Sequence, residues 1–258
     1  MSPILEVAGL HRQFGGLVAV QDVSFAVMPG AIAGLMGPNG AGKTTVFNLI
    51  SGVIPPQRGS ARLLGEDITG WPPYRVVARG LVRTFQSVRL FPDMTATENV
   101  MAALAARAPR GLAARIPGLP SERRTRRADE AQARALLQRV GVVERQDVLA
   151  RKLGLLDRHL VEIARALATR PKVLLLDEPS TGMISSEVAL LETLIRSLRQ
   201  EHVTVLIVEH NVGLMMRLCD EITVMDFGRV IARGTPSEIA QDPAVIAAYL
   251  GGVSDAAA

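Results

Sequence analysis

The residues with the most specific chemistry in this chain are Gly37, Pro38, Asn39, Gly40, Ala41, Gly42, Lys43, Thr44 and Thr45, read GPNGAGKTT. Gly37, Gly42, Lys43 and Thr44 fall on the fixed positions of the pattern G-x-x-x-x-G-K-[ST]. A polyphosphate brings several negative charges and must be held without bulky side chains in the way. Glycines let successive backbone N–H groups turn inward as an anion-binding nest, and a helix starting near Gly42 adds the positive end of its dipole. On this reading Lys43 reaches the β- and γ-phosphates and the Thr44 hydroxyl ligates Mg2+.

Two further groups have types and spacing suited to the same chemistry. Asp177-Glu178 closes the apolar run Val173-Leu-Leu-Leu176. A carboxylate at the carboxyl end of a strand in an open α/β sheet lies where ligands bind. Asp177 would hold Mg2+ through water, and Glu178 would polarise an attacking water. Glu209-His210 ends the next apolar run, Val203–Val208, where an imidazole can hydrogen-bond a γ-phosphate. His11, His159 and His202 lack such a setting and are read as ordinary surface or core residues.

The elements that position these groups follow from the apolar pattern. Ala31–Met36 reads as the strand that delivers the phosphate loop, followed by a helix over 42–50. Residues 4–8 and 17–27 read as β-rich. Short strands are expected at 61–64 and 82–85, with a short helix opened by Pro72-Pro73 between them. Helical periodicity covers 98–106, 121–140 and 158–169. Pro109, Gly111, Pro117, Gly118 and Pro120 make the stretch between the first two of these a loop or a broken helix. Val173–Leu176 reads as a strand buried on both faces. Helix 186–201, strand 203–208, helix 211–219, strands 222–226 and 229–233, and a last helix over 243–250 complete the chain. Alternation of this kind predicts a parallel α/β sheet. From Gly251 onward the chain reads as a frayed tail.

Composition narrows the class. The chain has 258 residues and 48% apolar content, yet no stretch approaches the ~18 unbroken apolar residues of a membrane span. Met1–Val7 lacks the basic-then-apolar order of a signal peptide, so the expectation is a soluble, cytoplasmic chain. The single cysteine, Cys219, excludes an internal disulfide and reads as a core residue rather than a reactive thiol. Net charge is +4 and aromatics make up 3%. So few rings argue against a nucleic-acid surface built on base stacking.

GPNGAGKTT, Thr84-Phe85-Gln86, Leu174–Pro179 and Val208-Glu209-His210, in this order, resemble the ATPase subunits of ABC transporters. The resemblance runs from residue 4 to 251. Within that family, Phe14–Val20, Arg83–Gln86, Leu90-Phe91, Thr95 with Glu98–Val100, and Ala248–Gly251 are similar to the branched-chain amino-acid importer group, above all its G-type ATPase. The group's solutes include branched-chain amino acids, urea and short amides. The fold implied is a P-loop NTPase with a parallel core sheet, an N-terminal antiparallel β subdomain and an inserted α-helical subdomain. As one cassette over 1–258 it would have its core at 1–85 and 166–235, its helical subdomain at 86–165, and a C-terminal helix and tail at 236–258. Phe14 would stack on adenine, and Gln86 would contact Mg2+ and the attacking water. Residues 87–100 would border the groove that receives a membrane subunit. The resemblance also implies ATP and Mg2+ as ligands, a second ATPase subunit, two membrane permease subunits and, indirectly, a periplasmic solute-binding protein. Such a chain would lie on the cytoplasmic face of the inner membrane.

Two stretches depart from the family pattern. Its signature, usually Leu-Ser-Gly-Gly-Gln or Leu-Ser-Tyr-Gly-Gln, is held here by Leu153, Gly154, Leu155, Leu156 and Asp157. Gly154 has no hydroxyl, Leu156 adds bulk, and Asp157 brings a negative charge towards phosphate; each change weakens anion binding. In the loop after Glu178, Gly182-Met183-Ile184 places an apolar residue where the family has Asn or Asp. The reading adopted is an asymmetric pair, in which Lys43, Glu178 and His210 work with a partner's intact signature while the site completed by Leu153–Asp157 is weak. The alternative is a tolerated signature with both sites active. Arg107, Arg110, Arg115, Arg123, Arg124, Arg126 and Arg127 read as a solvated helix face or as a contact to anionic lipid headgroups, and least well as a nucleic-acid surface. Rival functions are a DNA-repair or translation ATPase of the same fold, a regulatory subunit that holds ATP without splitting it, and an ATPase of lipid or lipopolysaccharide export. The first would want a coiled-coil insertion, zinc cysteines or a second phosphate loop, none of which the sequence contains.

Overall fold

A computed structural model describes residues 2–85, 87–107 and 120–251. In chain order, β1 (Leu5–Phe14) and β2 (Leu17–Val27) precede β3 (Ile32–Met36), α1 (Lys43–Ile50), β4 (Arg58–Leu63), β5 (Glu66–Asp67), α2 (Pro73–Arg79) and β6 (Leu81–Arg83). The helices α3 (Ala96–Arg107), α4 (Pro120–Arg139) and α5 (Leu155–Ala168) follow. The chain then runs through β7 (Val173–Asp177), α6 (Ser185–Gln200), β8 (Thr204–Val208), α7 (Val212–Leu218), β9 (Glu221–Asp226), β10 (Arg229–Gly234), α8 (Pro236–Ile239) and α9 (Pro243–Gly251). Two compact units result, Met1–Arg83 with Lys172–Ala258, and Thr84–Pro171. The second unit is wider than the helical insertion expected over 86–165, taking in 84–85 and 166–171, which were expected in the core.

The first unit holds two sheets. One is antiparallel, in the order β2-β1-β4-β5; the other runs β10-β9-β3-β8-β7-β6. In the second sheet β6, β7, β8, β3 and β9 are parallel and β10 is antiparallel. Every residue of β3, β7 and β8 is buried. That is why these strands read as unbroken apolar runs, the mark of a parallel sheet covered on both faces. β1 instead alternates, with Leu5 and Val7 buried and Glu6 and Ala8 exposed. Val46, Phe47, Leu49 and Ile50 of α1 share one core with Leu5, Val7 and Leu10 of β1 and with Leu35, Leu175 and Leu206 of the parallel strands. The helix that follows the phosphate loop is therefore anchored by its whole apolar face. Cys219 is buried beside Met215, and burial pushes its thiol up to about 12, which keeps it protonated and unreactive.

The second unit is a bundle of α3, α4 and α5 around Val100, Leu104, Ala133, Leu137, Leu160 and Ile163. Arg107, Arg123, Arg124, Arg126 and Arg127 are exposed, while Arg110, Arg115 and the loop expected before α4 lie outside the described residues. Helix α5 begins at Leu155, three residues before the start expected from periodicity. Gly154 is its N-cap and Asp157 stands in its first turn, where a carboxylate suits the helix dipole. The strand expected over 82–85 ends at Arg83, and the short α8, capped by Thr235 and Glu238, was not anticipated. Among the described residues no helix is long and apolar enough to cross a membrane.

Candidate functional site

The loop from Gly37 to Gly42 leaves β3 and enters α1 within the first unit. Its path needs glycine at both ends. A Cβ on Gly37 would meet the Met225 carbonyl oxygen at 2.1 Å, and one on Gly42, at φ +97°, would meet the Ala19 carbonyl oxygen at 2.3 Å. Between them Asn39 and Gly40 are exposed, and a Cβ on Gly40 would point into open space. Ala41 closes the inner side, with its carbonyl accepting the Gly228 N–H. The first turn of α1 carries no acidic residue, so nothing offsets the positive end of its dipole, and its leading N–H groups have no intrahelical acceptor. Such a cradle fits a polyphosphate.

Lys43 is buried, and its Nζ donates to the carbonyls of Gly37 at 2.7 Å and Pro38 at 2.8 Å. Burial pulls this ammonium below its usual range, and the Glu178 and Asp177 carboxylates push it back up. The loop lysine and the two carboxylates at the end of β7 therefore share one electrostatic site. Thr44 is exposed in the first turn of α1, and Thr45 is half-buried. A hydroxyl and a carboxylate are hard oxygen donors of the kind Mg2+ takes.

Glu178 is buried in the left-handed region at φ +49°, with its N–H donating to the Val208 carbonyl. His210 Nε2 stands 2.5 Å from Glu178 Oε1. Two residues that the sequence reading left without roles hold this arrangement. Glu209 is fully buried; its Oε1 accepts the Ser180 N–H at 2.6 Å and its Oε2 accepts the His210 N–H at 3.1 Å. It thus fixes the turn after Glu178 and the backbone under His210 together. Arg83, at the end of β6, donates from Nη2 to Asp177 Oδ2 at 2.6 Å and from Nη1 to Asn48 Oδ1 at 2.7 Å. Its guanidinium also lies over the Phe47 ring, 5.5 Å from the centroid. A buried ion pair so ties the carboxylate of β7 to the helix that begins at Lys43. The available signal was a lone charge at the end of the apolar Leu81-Val82.

Phe14 ends β1 with its ring exposed and the Arg12 guanidinium 5.0 Å from its centroid. Ile184, the N-cap of α6, is exposed and offers no side-chain acceptor; Glu187 Oε2 accepts its N–H instead. Gln86 lies outside the described residues.

In the second unit Leu153 is buried and Gly154 is exposed, with open space where a Cβ would stand. Leu155 and Leu156 are half-buried in the first turn of α5, and the Arg145 guanidinium stands 3.9 Å from Asp157. One turn on, Glu162 is buried, and its carboxylate accepts the N–H groups of Phe85, at 3.4 Å, and Arg89. Arg165 donates to the Arg89 carbonyl. Burial outweighs these bonds and pushes the Glu162 carboxyl up to about 7. The folded state holds this proton more tightly than the unfolded chain, which releases it near 4.5. Its contribution is complete below pH 4.5 and is lost as pH rises through 7. At ~1.4 kcal/mol per pKa unit, up to about 3 kcal/mol is at stake. Urea unfolding from about pH 5 to 8 is expected to show a decline in stability that Glu162→Gln removes; parallel profiles for the two proteins would contradict it.

Residues 20–181 match the family described as ABC transporter, and residues 229–255 match the branched-chain amino acid ATP-binding cassette transporter family. The chain is 44% identical over 250 residues to the high-affinity branched-chain amino acid transport ATP-binding protein BraF of Pseudomonas aeruginosa, covering 96% of this chain and 98% of that protein. It is 41% identical over 250 residues to LivG, the protein of the same description from Escherichia coli, with the same coverage. A crystal structure of the ADP conformation of an ATP-binding cassette of an ABC transporter superposes with a TM-score of 0.84 at 28% identity, covering 97% of this chain and all of that one. The chain belongs to the ABC transporter ATP-binding family. It is an ATP-using transporter subunit whose hydrolysis is coupled to transport.

Proposed function

We propose that this chain powers a branched-chain amino-acid importer, using Mg2+-ATP at the loop Gly37–Thr45. The observation that carries the nucleotide site is the meeting of Lys43, Asp177, Glu178 and His210 in one unit, at the carboxyl ends of neighbouring parallel strands. The solute rests on the C-terminal family match and on what the two relatives are named for; urea and short amides are the neighbouring solutes.

Lys43 and the N–H groups of Gly40–Thr44 would hold the phosphates. Thr44, Asp177 and Gln86 would hold Mg2+. Mg2+ draws most of its ligands from phosphate and water, so few protein donors are needed. When bound, Mg2+ supplies positive charge against the phosphate oxygens. Glu178 would accept the proton of the attacking water, and His210 would hold Glu178 in place and face the γ-phosphate. Phe14 would stack on adenine.

The partners in this reading are a second ATPase subunit, two membrane permease subunits and, through them, a periplasmic solute-binding protein. The chain would lie on the cytoplasmic face of the inner membrane, with residues 87–100 bordering the groove for a permease. The pair is asymmetric: this chain's catalytic residues meet an intact signature, whereas Leu153–Asp157 offers its partner a poor one. Asp157 supports this reading, because the carboxylate in the first turn of α5 opposes a phosphate at that helix start. Reconstitution with permease pair, companion ATPase and binding protein in vesicles tests the function. ATP-dependent accumulation of leucine, isoleucine or valine is expected; ATP-dependent movement of lipopolysaccharide instead would contradict it.

A further inference from the structure

Phe14 ends β1 on a tip with little packing of its own. Gly15, at φ +55°, and Gly16 turn the chain there, and a Cβ on either would meet nothing within 4 Å. Leu17, which pairs with Phe14 across the turn, is 71% exposed. A ring in such a place keeps one rotamer only where another group holds it. Arg12 lies two residues earlier on the same face of β1, and its guanidinium sits over the Phe14 ring, 5.0 Å from the centroid. Arg12 Nη1 donates to the Pro55 carbonyl at 3.1 Å. Its Nε has no solvent contact and no hydrogen-bond partner among the described residues. A buried donor left without an acceptor costs free energy, and the offset available here is the guanidinium's contact with the ring.

The anchor for Arg12 is itself fixed. Pro55 follows α1, where the N–H groups of Val53 and Ile54 donate to the Asn48 carbonyl at 2.9 and 3.3 Å. Gln57 then grips the end of β1 twice: its N–H donates to the His11 carbonyl at 3.0 Å, and its Oε1 accepts the Gln13 N–H at 2.7 Å. The segment leaving the helix that begins at Lys43 thus braces the strand end that carries Phe14.

We infer that Arg12 is a positioning residue for the nucleotide's base: tied to Pro55 and laid over one face of Phe14, its guanidinium holds the ring so that the other face receives a purine. The cation also draws negative charge out of the ring's π face, so the π face of a base meets it with less repulsion. The inference rests on the reading of Phe14 as the residue that stacks on adenine, and its test separates the two.

Affinities of the full chain for ADP and for tripolyphosphate, which carries phosphates and no base, are measured by titration calorimetry with Mg2+. Arg12→Ala is expected to weaken ADP binding about two- to fivefold, the scale of an exposed cation–π contact, and to leave tripolyphosphate binding unchanged. Phe14→Ala is expected to weaken ADP binding further, again without effect on tripolyphosphate. Adding Arg12→Ala to Phe14→Ala is expected to change nothing more, because Arg12 acts through the ring. Unaltered ADP affinity in Arg12→Ala, or an undiminished extra loss in the double variant, would overturn the inference while Phe14 kept its role. An equal loss of tripolyphosphate affinity in Arg12→Ala would overturn it too, because the guanidinium would then act on the phosphates or on the fold. Unaltered ADP affinity in Phe14→Ala would overturn the reading of Phe14 and the inference with it.

Discussion

Glu178→Gln is expected to lower ATP turnover at least a hundredfold while leaving ATP binding and the melting temperature nearly unchanged. The size follows from the role of a positioned general base, which contributes roughly 10²–10⁴ in rate. The selectivity follows from the site. Glutamine has the shape of glutamate, and its amide oxygen can still accept from His210 Nε2, now 2.5 Å from Glu178 Oε1. The left-handed backbone at Glu178 is untouched, since the Glu178 N–H bond to the Val208 carbonyl and the Ser180 N–H bond to the Glu209 carboxylate do not involve the Glu178 side chain. What the substitution removes is the capacity to take a proton from water. Rapid-quench assays with the companion ATPase present, and equilibrium ATP binding on the same preparation, check both halves. Turnover within tenfold of the parent would place the base elsewhere.

Arg83→Met is expected to cause a large loss of stability. The Arg83 and Asp177 side chains are 6% and 3% exposed. Removing one partner of a buried pair takes the hydrogen-bonded counter-charge from the other and typically costs about 3–5 kcal/mol. In Arg83→Met the Asp177 carboxylate would remain buried beside Glu178, and Asn48 would lose its guanidinium donor. In a domain of this size that loss lowers the melting temperature by roughly 6–15 °C. The double variant Arg83→Met with Asp177→Leu separates stability from chemistry, because apolar replacement of both partners of a buried pair is often close to neutral. It is expected to recover at least half the lost stability and no turnover. A double variant as unstable as the single one would mean that Arg83 acts through Asn48 and Phe47 rather than through Asp177.

The sequence showed these elements unevenly, for physical reasons. The strands β3, β7 and β8 were legible because covering both faces of a parallel sheet demands apolar residues throughout. The phosphate loop was legible because few residue types tolerate its backbone path, as the close approaches to Gly37 and Gly42 show. Helix α4 was legible from its period, despite the many arginines on its exposed face. Contacts set by register were not legible. Arg83 meets Asp177 across 94 residues because β6 and β7 pair in parallel with Arg83 opposite Leu175, and no local pattern encodes that alignment. Glu209 was visible as half of Glu209-His210, but its clamp on Ser180 depends on the neighbouring strand end. Nothing in the helical period over 158–169 singles out Glu162, because its burial against Phe85 and Arg89 is a tertiary fact. The early start of α5 follows from Leu155 and Leu156, good helix formers, ahead of a carboxylate in the first turn.

The most direct test of the account is Mg2+-dependent ATP hydrolysis by the purified chain over a range of protein concentrations, alone and with a companion ATPase bearing an intact signature. The chain is expected to bind ATP by itself but to turn it over only when the companion is added, and Glu178→Gln is expected to abolish the gain. Rapid turnover by the chain alone, rising steeply with its own concentration and lost in Glu178→Gln, would show that Leu153–Asp157 is a competent signature and would contradict the asymmetric pair.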